Sequence, residues 1–565
     1  MDKRRVIVRV LIDRFPLGDS HSSGRESAGV LFSKIKTNLG WLAGSLTLAL
    51  VFISSALPAR ANVYATDIRL NGSFNAGVIV PGSSLTISYI LNDTATGGVW
   101  IRIYSGTNVI QTLGSTNRGA GTNAGFNSVI WNGMTNLAEG VYTVSITAAS
   151  AGYNTWTNIT DDGPYFFVNL PSGVSVNQNT NSLFYGRVYV ANNYGDNVGI
   201  IKCNADGSPA DEGGFSTGGY GWAGNGSPWK MAIGADDRLY VDDFSGQGVV
   251  VSFDPTIESN NWRVVVGRDN YPAGDTNANL SSLSVIGAGA NTQIWMTDAY
   301  PYGGSAGIVG WQIGADGVAA TNDTGSVIVP VDQYFLTQEP YDLAVDSNGF
   351  IYTMQFLTPN EDPAYALLSF PPYVGEPETM ADWAIEMYPT LLKAYGVAVD
   401  PTASVVAVAV VGVDGIDNIE NDTTGGLYLF RATNGDFITD LDQTGGHGYC
   451  DVAWDNVGNL YALDGTKQVW RAYSPPGTNQ ATTVAAPVIQ AYDALLPPYL
   501  NNPVVSVGGL GFTLEGQSNV TYVIQGSCDL TNWAAVATNY SVLANRSISV
   551  PVGGGQFFYR AMTVR

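Results

Sequence analysis

The chain has 565 residues, enough for several domains, and 45% of them are hydrophobic, which excludes a wholly disordered protein. Charged residues make up only 13%, whereas Gly (67) and Tyr (30) are abundant, a composition typical of short strands joined by many turns. The formal net charge of −23 argues against nucleic acid and anionic membrane surfaces as partners, because phosphate contacts need clustered Lys and Arg.

Residues 1–61 have the features of a secretory signal peptide. Scattered basic residues precede an apolar run from Trp41 to Leu57, and Ala59-Arg60-Ala61 offers the small residues that signal peptidase requires. We predict cleavage after Ala61 and an exported protein that is extracellular, on the cell surface or periplasmic, with no transmembrane helix left; an uncleaved anchor is the alternative. Cleavage would remove nine basic and four acidic residues and change the net charge from −23 to −28.

Residues 63–170 are predicted to form a β-sandwich. Residues 84–91 and 99–104 alternate between apolar and polar, as half-buried strands do. Trp131-Asn132-Gly133, followed by Gly140-Val141-Tyr142, resembles the Ig-like domain of flagellar hook-capping proteins. The resemblance implies a small spacer or docking domain, in which Trp131 and Tyr142 belong to the core.

A repeated phrase between residues 172 and 475 predicts the main architecture. Tyr341-Asp342-Leu343-Ala344-Val345-Asp346 leads through a Gly-containing turn to Phe350-Ile351-Tyr352, and the pattern of strand, turn and strand recurs. A spacing of about 40–50 residues for four strands is typical of β-propeller blades. We count six units: 172–207, 228–255, 281–316, 340–371, 394–435 and 448–475.

The repeat resembles those of NHL-type and gluconolactonase-type six-bladed propellers. The matching element runs from Pro340 to Tyr352, with Pro, an apolar-Ala-apolar-Asp run and a Gly-x-Ile-Tyr ending. The resemblance implies an all-β six-bladed propeller but no particular function, because this fold has many unrelated activities. Seven blades are the alternative, if 208–227 or 256–280 contains a degenerate unit.

Residues 476–500 are predicted to be a linker, because Pro475-Pro476-Gly477 and Pro497-Pro498 interrupt any strand pattern. Residues 501–565 are predicted to form a small β-sandwich. Asp529-Leu530-Thr531-Asn532-Trp533 and the ending Phe558-Tyr559-Arg560-Ala561 resemble a C-terminal module of exported bacterial proteins of the Verrucomicrobia-Planctomycetes group. That resemblance implies surface or matrix attachment; a terminal cap on the propeller is the alternative.

The chain contains three cysteines, Cys203, Cys450 and Cys528, so they cannot all pair within one chain. Cys203 and Cys450 fall in different repeats. We predict that both are unpaired and buried as small apolar residues, with a disulfide as the alternative in an exported protein.

Aligned repeats place Lys230, Asp342, Gly396 and Asp451 at one equivalent position, near one mouth of the central channel. Two carboxylates and an ammonium that converge there suggest a site for a polar ligand. Asp342 and Asp451, with Glu339 nearby, are candidate ligands for a divalent cation such as Ca²⁺. The alternative is that these groups bond to neighbouring turns and seal the channel.

The resemblance to gluconolactonase-type enzymes implies a divalent cation held by Glu, Asn and Asp from separate blades. The first repeat has no Glu at its start, and Asn192 and Asn193 fall on its second strand. The missing Glu argues against lactonase chemistry.

His447 would be the only histidine of the mature chain and lies in the Gly-rich loop before the last repeat. It is a candidate ligand-binding residue and the natural general base at neutral pH; a turn residue is the alternative. The acidic segment from Asp414 to Asp422 lacks EF-hand spacing, so a solvated insertion is favoured over calcium binding.

Several aromatic residues lie in Gly-rich and Asn-rich loops outside the strand pattern. Trp222, Tyr271 and Tyr300 are candidate sugar-stacking residues, together with Tyr220 and Tyr302. Packing of these rings against the blade below is the alternative.

The scarcity of catalytic groups favours a secreted, non-catalytic propeller that presents its channel mouth to a glycan or protein partner. A metal-dependent hydrolase or lactonase acting at the channel is the second hypothesis. A structural component of the envelope or of an extracellular assembly, self-associating through its sandwiches, is the third.

Overall fold

A computed structural model describes Val8–Arg9 and most of residues 63–563. The gaps between described ranges lie at 80–82, 116–120, 134–136, 165, 167, 194–197, 223–225, 245–247, 260, 271–279, 299–306, 315, 332–334, 337–339, 356–364, 386–392, 412–424, 443–445, 492–497, 507–508, 517–519, 542–544 and 551–557. Apart from two 3-10 turns at Arg268–Asn270 and Gly289–Asn291, the regular elements described are strands, which we number β1 to β40. Within these ranges no helix is long and apolar enough to cross a membrane.

Twenty-four of the strands make six four-stranded antiparallel sheets in the described part of the chain. The first three contain, in order, β10–β13 (Pro171–Val176, Val188–Asn192, Gly199–Cys203, Phe215–Ser216), β14–β17 (Met231–Ile233, Leu239–Asp243, Val249–Phe253, Arg263–Val266) and β18–β21 (Leu280–Ile286, Gln293–Asp298, Ile308–Gln312, Ser326–Val329). The next two contain β22–β25 (Pro340–Val345, Ile351–Gln355, Leu367–Phe370, Trp383–Ile385) and β26–β29 (Ala394–Val399, Val405–Val410, Gly426–Arg431, Phe437–Leu441). The sixth contains β30–β32 (Tyr449–Trp454, Leu460–Asp464, Val469–Ser474) and, as its outer strand, β9 (Thr157–Asn158).

The innermost strands β10, β14, β18, β22, β26 and β30 contact one another in a closed ring. Each sheet buries both faces against its neighbours, as the nearly continuous apolar runs of its middle strands require. The predicted all-β propeller is therefore confirmed, and we call these sheets blades 1 to 6 in chain order.

The ring is closed by a segment that the sequence assigns to the preceding sandwich. Asn158 pairs with Tyr473 and Thr157 pairs with Ser474, so β9 completes blade 6 from the N-terminal side. This pairing gives the edge of β32 the partner that an open blade would lack.

Five of the six inner strands begin with the same irregularity. One residue is skipped in the pairing with the second strand, at Ser172, Ser281, Tyr341, Tyr395 and Cys450. A bulge changes the direction in which the side chain after it points. The residues that follow the bulges belong to one level of the channel.

The two sheets before the propeller enclose one core. One contains β2, β4 and β7 (Ala65–Leu70, Ser84–Leu91, Gly125–Asn132), and the other contains β3, β5, β6 and β8 (Ala76–Ile79, Gly98–Ser105, Asn108–Ser115, Gly140–Tyr153). Trp131 and Tyr142 are buried in this core, as predicted.

The predicted linker is different in the structure. β33 (Gly477–Val484) pairs with β8, and β34 (Val488–Ala491) lies between β3 and β8. The chain therefore leaves the sandwich, builds the propeller and returns to the sandwich. The sequence did not indicate these strands, for two reasons. Prolines lie at both borders of the segment, and the exposed face of the strand between them is largely polar.

The last residues form two further sheets around a separate core. One contains β35, β36 and β39 (Tyr499–Ser506, Gly509–Glu515, Asn545–Val550), and the other contains β37, β38 and β40 (Val520–Ser527, Ala534–Ser541, Phe558–Thr563) with β1 (Val8–Arg9) at its edge. The rest of the predicted signal peptide lies outside the described residues.

Cys203 and Cys450 are buried in blades 1 and 6, where they pack as the small apolar residues that we predicted. Cys528 is exposed.

Candidate functional site

The central channel contains a cavity of about 530 Å³ lined by all six inner strands. Its lining includes the second halves of these strands and the turns that follow them, so the mouth lies at those turns. The residues that follow the bulges lie at the deep end. Going around the ring, this deep level contains Gly173, Lys230, Ser282, Asp342, Gly396 and Asp451.

Two residues further along each inner strand, the side chains are all small. This level contains Ser175, Ala232, Ser284, Ala344, Ala398 and Ala453. Because side chains on one face of a strand recur every second residue, these side chains point into the channel as the deep level does. Their small size leaves the space open.

Lys230 forms the centre of the deep level. Its side chain is only 3% exposed, and its Nζ donates hydrogen bonds to Asp451 Oδ1 at 2.6 Å, Tyr395 O at 2.7 Å and Cys450 O at 3.1 Å. Asp342 Oδ2 lies 3.5 Å from the same nitrogen. The ammonium of blade 2 therefore crosses the channel to blades 5 and 6.

The two carboxylates bond onward to the next blade in the ring. Asp342 Oδ2 accepts a hydrogen bond from Val397 N of blade 5 at 2.8 Å. Asp451 Oδ2 accepts one from Val174 N of blade 1 at 2.7 Å. We call Lys230, Asp342 and Asp451 the channel plug. Its contacts join blades 1, 2, 4, 5 and 6.

Glycines make room for the plug. A Cβ on Gly396 would lie 2.7 Å from Asp451 Cα, and a Cβ on Gly173 would lie 2.3 Å from Trp229 O. Neither distance is possible for a real side chain, so the inner strands approach closely only because these positions have none. In the deep level, residues without a side chain therefore stand beside charged residues, and each glycine leaves the space that a charged neighbour needs.

Burial sets the ionisation of the plug. Burial raises the pKa of Asp342 to about 7, against the attraction of Lys230, and burial also raises the pKa of Asp451. For Lys230, burial alone would lower the pKa, but attraction to Asp342 and Asp451 outweighs it and raises the pKa above its usual value.

The predicted convergence of Lys230, Asp342 and Asp451 is therefore found, but their polar atoms are engaged within the protein. The ammonium lies between the two carboxylates, where a divalent cation would have to lie. No group of three His, Cys, Asp or Glu side chains in the described ranges is arranged to hold a metal ion. Glu339, the third candidate, lies outside the described residues. Asp342 and Asp451 as arranged here do not fit a calcium site.

His447, which we predicted as a candidate ligand-binding residue, does not line the cavity. It precedes β30, whereas the cavity is lined from Asp451 onward, so His447 lies towards the opposite end of blade 6. His447 Nδ1 lies 2.5 Å from Asp464 Oδ2 and 2.8 Å from Arg471 Nη1. One nitrogen cannot donate and accept at once, and the contact with the carboxylate favours a proton on Nδ1.

Arg471 organises this second cluster, which we call the blade-6 cluster. Its Nη1 donates to Asp464 Oδ2 at 2.7 Å and to Tyr449 Oη at 3.0 Å, while Nε and Nη2 donate to the two oxygens of Asp162. The hydrogen bond from Arg471 lowers the pKa of Asp162. Tyr449 Oη in turn donates to Asp442 Oδ2 at 2.8 Å, and burial raises the pKa of Tyr449.

Sequence reasoning missed Arg471, Asp464 and Tyr449. A signal was available, because the second strand of five blades ends in a polar residue. These equivalent last residues are Asn192, Asp243, Asp298, Gln355 and Asp464, with Val410 in blade 5. The partner from the third strand of blade 6, Arg471, could not be found from spacing alone.

The described loop aromatics pack on one another. Trp222 lies 4.6 Å from Tyr220 and 5.8 Å from Phe253 between ring centroids, and its Nε1 donates to Thr217 O. Tyr220 Oη donates to Asp243 Oδ2 at 2.7 Å. These contacts agree with turn packing against blade 2. Tyr271, Tyr300, Tyr302 and the acidic segment 414–422 lie outside the described residues.

Comparison with known proteins identifies no family. No family model matches the chain, and no curated protein matches it. Among solved structures, a glucose dehydrogenase matches with 10% identity and a TM-score of 0.26, over 43% of this chain and 94% of that protein. The soluble aldose sugar dehydrogenase of Escherichia coli matches with 10% identity and a TM-score of 0.31, over 58% and 99%. A glycoside hydrolase matches with 8% identity and a TM-score of 0.19, over 90% and 95%. Likenesses of this size carry no information on the function of this chain.

Proposed function

We propose that this protein is an exported, non-catalytic binding protein. Its propeller binds the end of an uncharged glycan in the channel cavity. The Ig-like sandwich and the C-terminal module serve as spacer and attachment domains. The observation that carries the proposal is the cavity of about 530 Å³, which is within the range of about 300–1,000 Å³ where proteins bind small ligands.

The chemistry of the walls supports an uncharged ligand. The plug at the deep end has its donors and acceptors engaged, so it offers a ligand charge no unpaired partner. Burying an unpaired charge against such a surface is costly. Ser175 and Ser284 in the wall supply hydroxyl groups that suit sugar hydroxyls.

The same contacts argue against catalysis at this place. A general acid, base or nucleophile has to reach the substrate with an available proton or lone pair. Lys230, Asp342 and Asp451 bond to backbone groups of other blades and to each other. His447 does not line the cavity.

Filling the cavity tests the proposal. Ala344→Phe would place a ring in the open level of the channel, and Ala320→Phe, at an exposed turn of blade 3, is the matched control. On a glycan array and by calorimetry, we expect Ala344→Phe to abolish glycan binding and Ala320→Phe to retain it. Absence of any bound glycan, equal binding by both variants, or turnover of a bound glycan would overturn the proposal. If a purified protein binds the wild type and Ala320→Phe but not Ala344→Phe, the ligand of the channel is a protein and not a glycan.

The third hypothesis, self-assembly, is favoured by one observation. Phe126 and Ile130 are 69% and 61% exposed on β7, which is an edge strand of its sheet in the described part of the sandwich. An apolar edge strand is a template for pairing with another chain. If the chain self-assembles, sedimentation velocity at rising concentration will show association that Phe126→Lys removes; a concentration-independent monomer would exclude it.

A further inference from the structure

A second cavity, of about 290 Å³, lies where blades 1, 5 and 6 meet the strand that returns to the sandwich. Its walls come from Trp156, Tyr185 of blade 1, the turn after β26, the turn after β30 and residues 475–482. The cavity therefore exists because β33 leaves the propeller beside β9 and pairs with β8. It is separate from the channel cavity, although Trp454 and Asn456 line both.

Aromatic rings form one side of this pocket. Trp156 is half-buried, and its ring centroid lies 6.1 Å from that of Trp454 at an interplanar angle of 65°. Trp454 is buried, and its Nε1 donates to Ala398 O at 3.2 Å, which fixes its orientation. In this edge-to-face arrangement Trp156 rests on an immobilised neighbour and keeps part of its surface exposed.

Uncharged polar side chains form the rim. Thr180, Asn456 and Gln480 are exposed there and carry hydroxyl or amide groups. These groups can donate and accept hydrogen bonds at the same time, as sugar hydroxyls require.

The single charged residue of the wall, Asp400, is already engaged. Its Oδ1 accepts hydrogen bonds from Ser404 N at 2.6 Å and Val405 N at 2.7 Å, and its Oδ2 accepts one from Thr402 Oγ1 at 2.5 Å. The oxygens of Asp400 are therefore already hydrogen-bonded within the protein. A charged ligand would lose its hydration there without gaining a partner.

We propose that this pocket binds one residue of a neutral glycan, with a sugar face against Trp156 and hydroxyls bonded to Asn456 and Gln480. An aromatic face matches the apolar C–H face of a pyranose, and the amides match its polar edge. The site lies between the propeller and the sandwich, so it goes beyond the channel site proposed above and does not depend on it.

The test uses soluble neutral hexaoses of glucose, xylose, mannose and galactose, with oligogalacturonate as the charged comparison. Binding is measured by calorimetry and by saturation-transfer NMR on the full chain. We expect at least one neutral oligosaccharide to bind, Trp156→Ala to weaken it at least tenfold, and Trp156→Phe to retain most of the affinity. Trp262→Ala, which removes an exposed ring in blade 2, is the control and leaves binding unchanged.

Gln480→Leu tests the polar rim without changing the packed rings, and we expect this variant to bind the oligosaccharide more weakly as well. Far-ultraviolet circular dichroism checks that each variant is folded. Failure of all neutral oligosaccharides to bind, tighter binding of oligogalacturonate, or unchanged affinity in both Trp156→Ala and Gln480→Leu would overturn the proposal. Ala344→Phe separates the two sites, because it blocks the channel cavity and leaves the pocket at Trp156 intact.

Discussion

The channel plug and the blade-6 cluster are built from the same kinds of charged residue, but they differ in what surrounds the charges. In the plug, one ammonium and two carboxylates are buried and bond to the backbone of neighbouring blades. In the blade-6 cluster, Arg471 joins the buried Asp464 to Asp162 and Asp442, which are 42% and 33% exposed. Charges that are buried and bonded by several blades hold the ring together, whereas charges that reach solvent can be hydrated when their partner is removed.

The largest effect is expected from removing the cation of the plug. Lys230→Met leaves two buried carboxylates without their cation, and breaking a buried ion pair from one side costs about 3–5 kcal/mol in the free energy of unfolding. Urea denaturation followed by tryptophan fluorescence measures the loss. The triple variant Lys230→Met, Asp342→Asn, Asp451→Asn should recover most of it; a single variant as stable as the wild type would show that the plug does not join the blades.

A smaller loss, about 2–3 kcal/mol, is expected for Arg471→Met. Asp464 is buried and loses its cation, but Asp162 and Asp442 can be hydrated. Arg431→Met, at an exposed arginine of blade 5, is the control and should stay close to the wild type in the same urea experiment. If Arg471→Met costs more than Lys230→Met, the comparison between the two clusters is wrong.

The pH dependence of stability sharpens the comparison. Burial raises the pKa of Asp342 to about 7, whereas in the unfolded chain it is about 3.9. Between these values the folded state binds more protons, so the free energy of unfolding falls as the pH rises from about 4 to about 7. Asp455, whose pKa burial raises to about 6, adds to the same slope.

Asp342→Asn isolates the contribution of the plug. Its unfolding free energy should fall less steeply than that of the wild type over this window, because Asn does not titrate. Parallel pH profiles of the two proteins would contradict the assignment of the raised pKa to Asp342.

The smallest effect is expected for His447→Gln, about 1 kcal/mol or less. Asp464 keeps Arg471 as its partner, and the amide of Gln can still donate a hydrogen bond to it. Thermal denaturation measures the change. A loss as large as that of Arg471→Met would mean that the histidine, rather than the arginine, holds the blade-6 cluster together.

Local sequence patterns were sufficient to predict the propeller and the meeting of Lys230, Asp342 and Asp451 at its axis. The apolar-rich strands, the Gly-containing turns and the recurrence of strand, turn and strand each depend on local geometry, and local geometry repeats with the blades. Equivalent repeat positions had to meet at the axis of a closed ring, so Lys230, Asp342 and Asp451 were found before their contacts were known.

Local patterns could not predict which charged groups are hydrogen-bonded within the protein, or that the chain returns to the sandwich after the propeller. The bonds from Lys230 to Tyr395 O and from Asp342 to Val397 N join residues of different blades, and no spacing along the chain encodes them. The same is true of β33, which pairs with β8 across more than 300 residues, and of β9, which closes blade 6. Hydrogen bonding between distant backbones depends on where the folded strands come to lie, and their local composition leaves that position open.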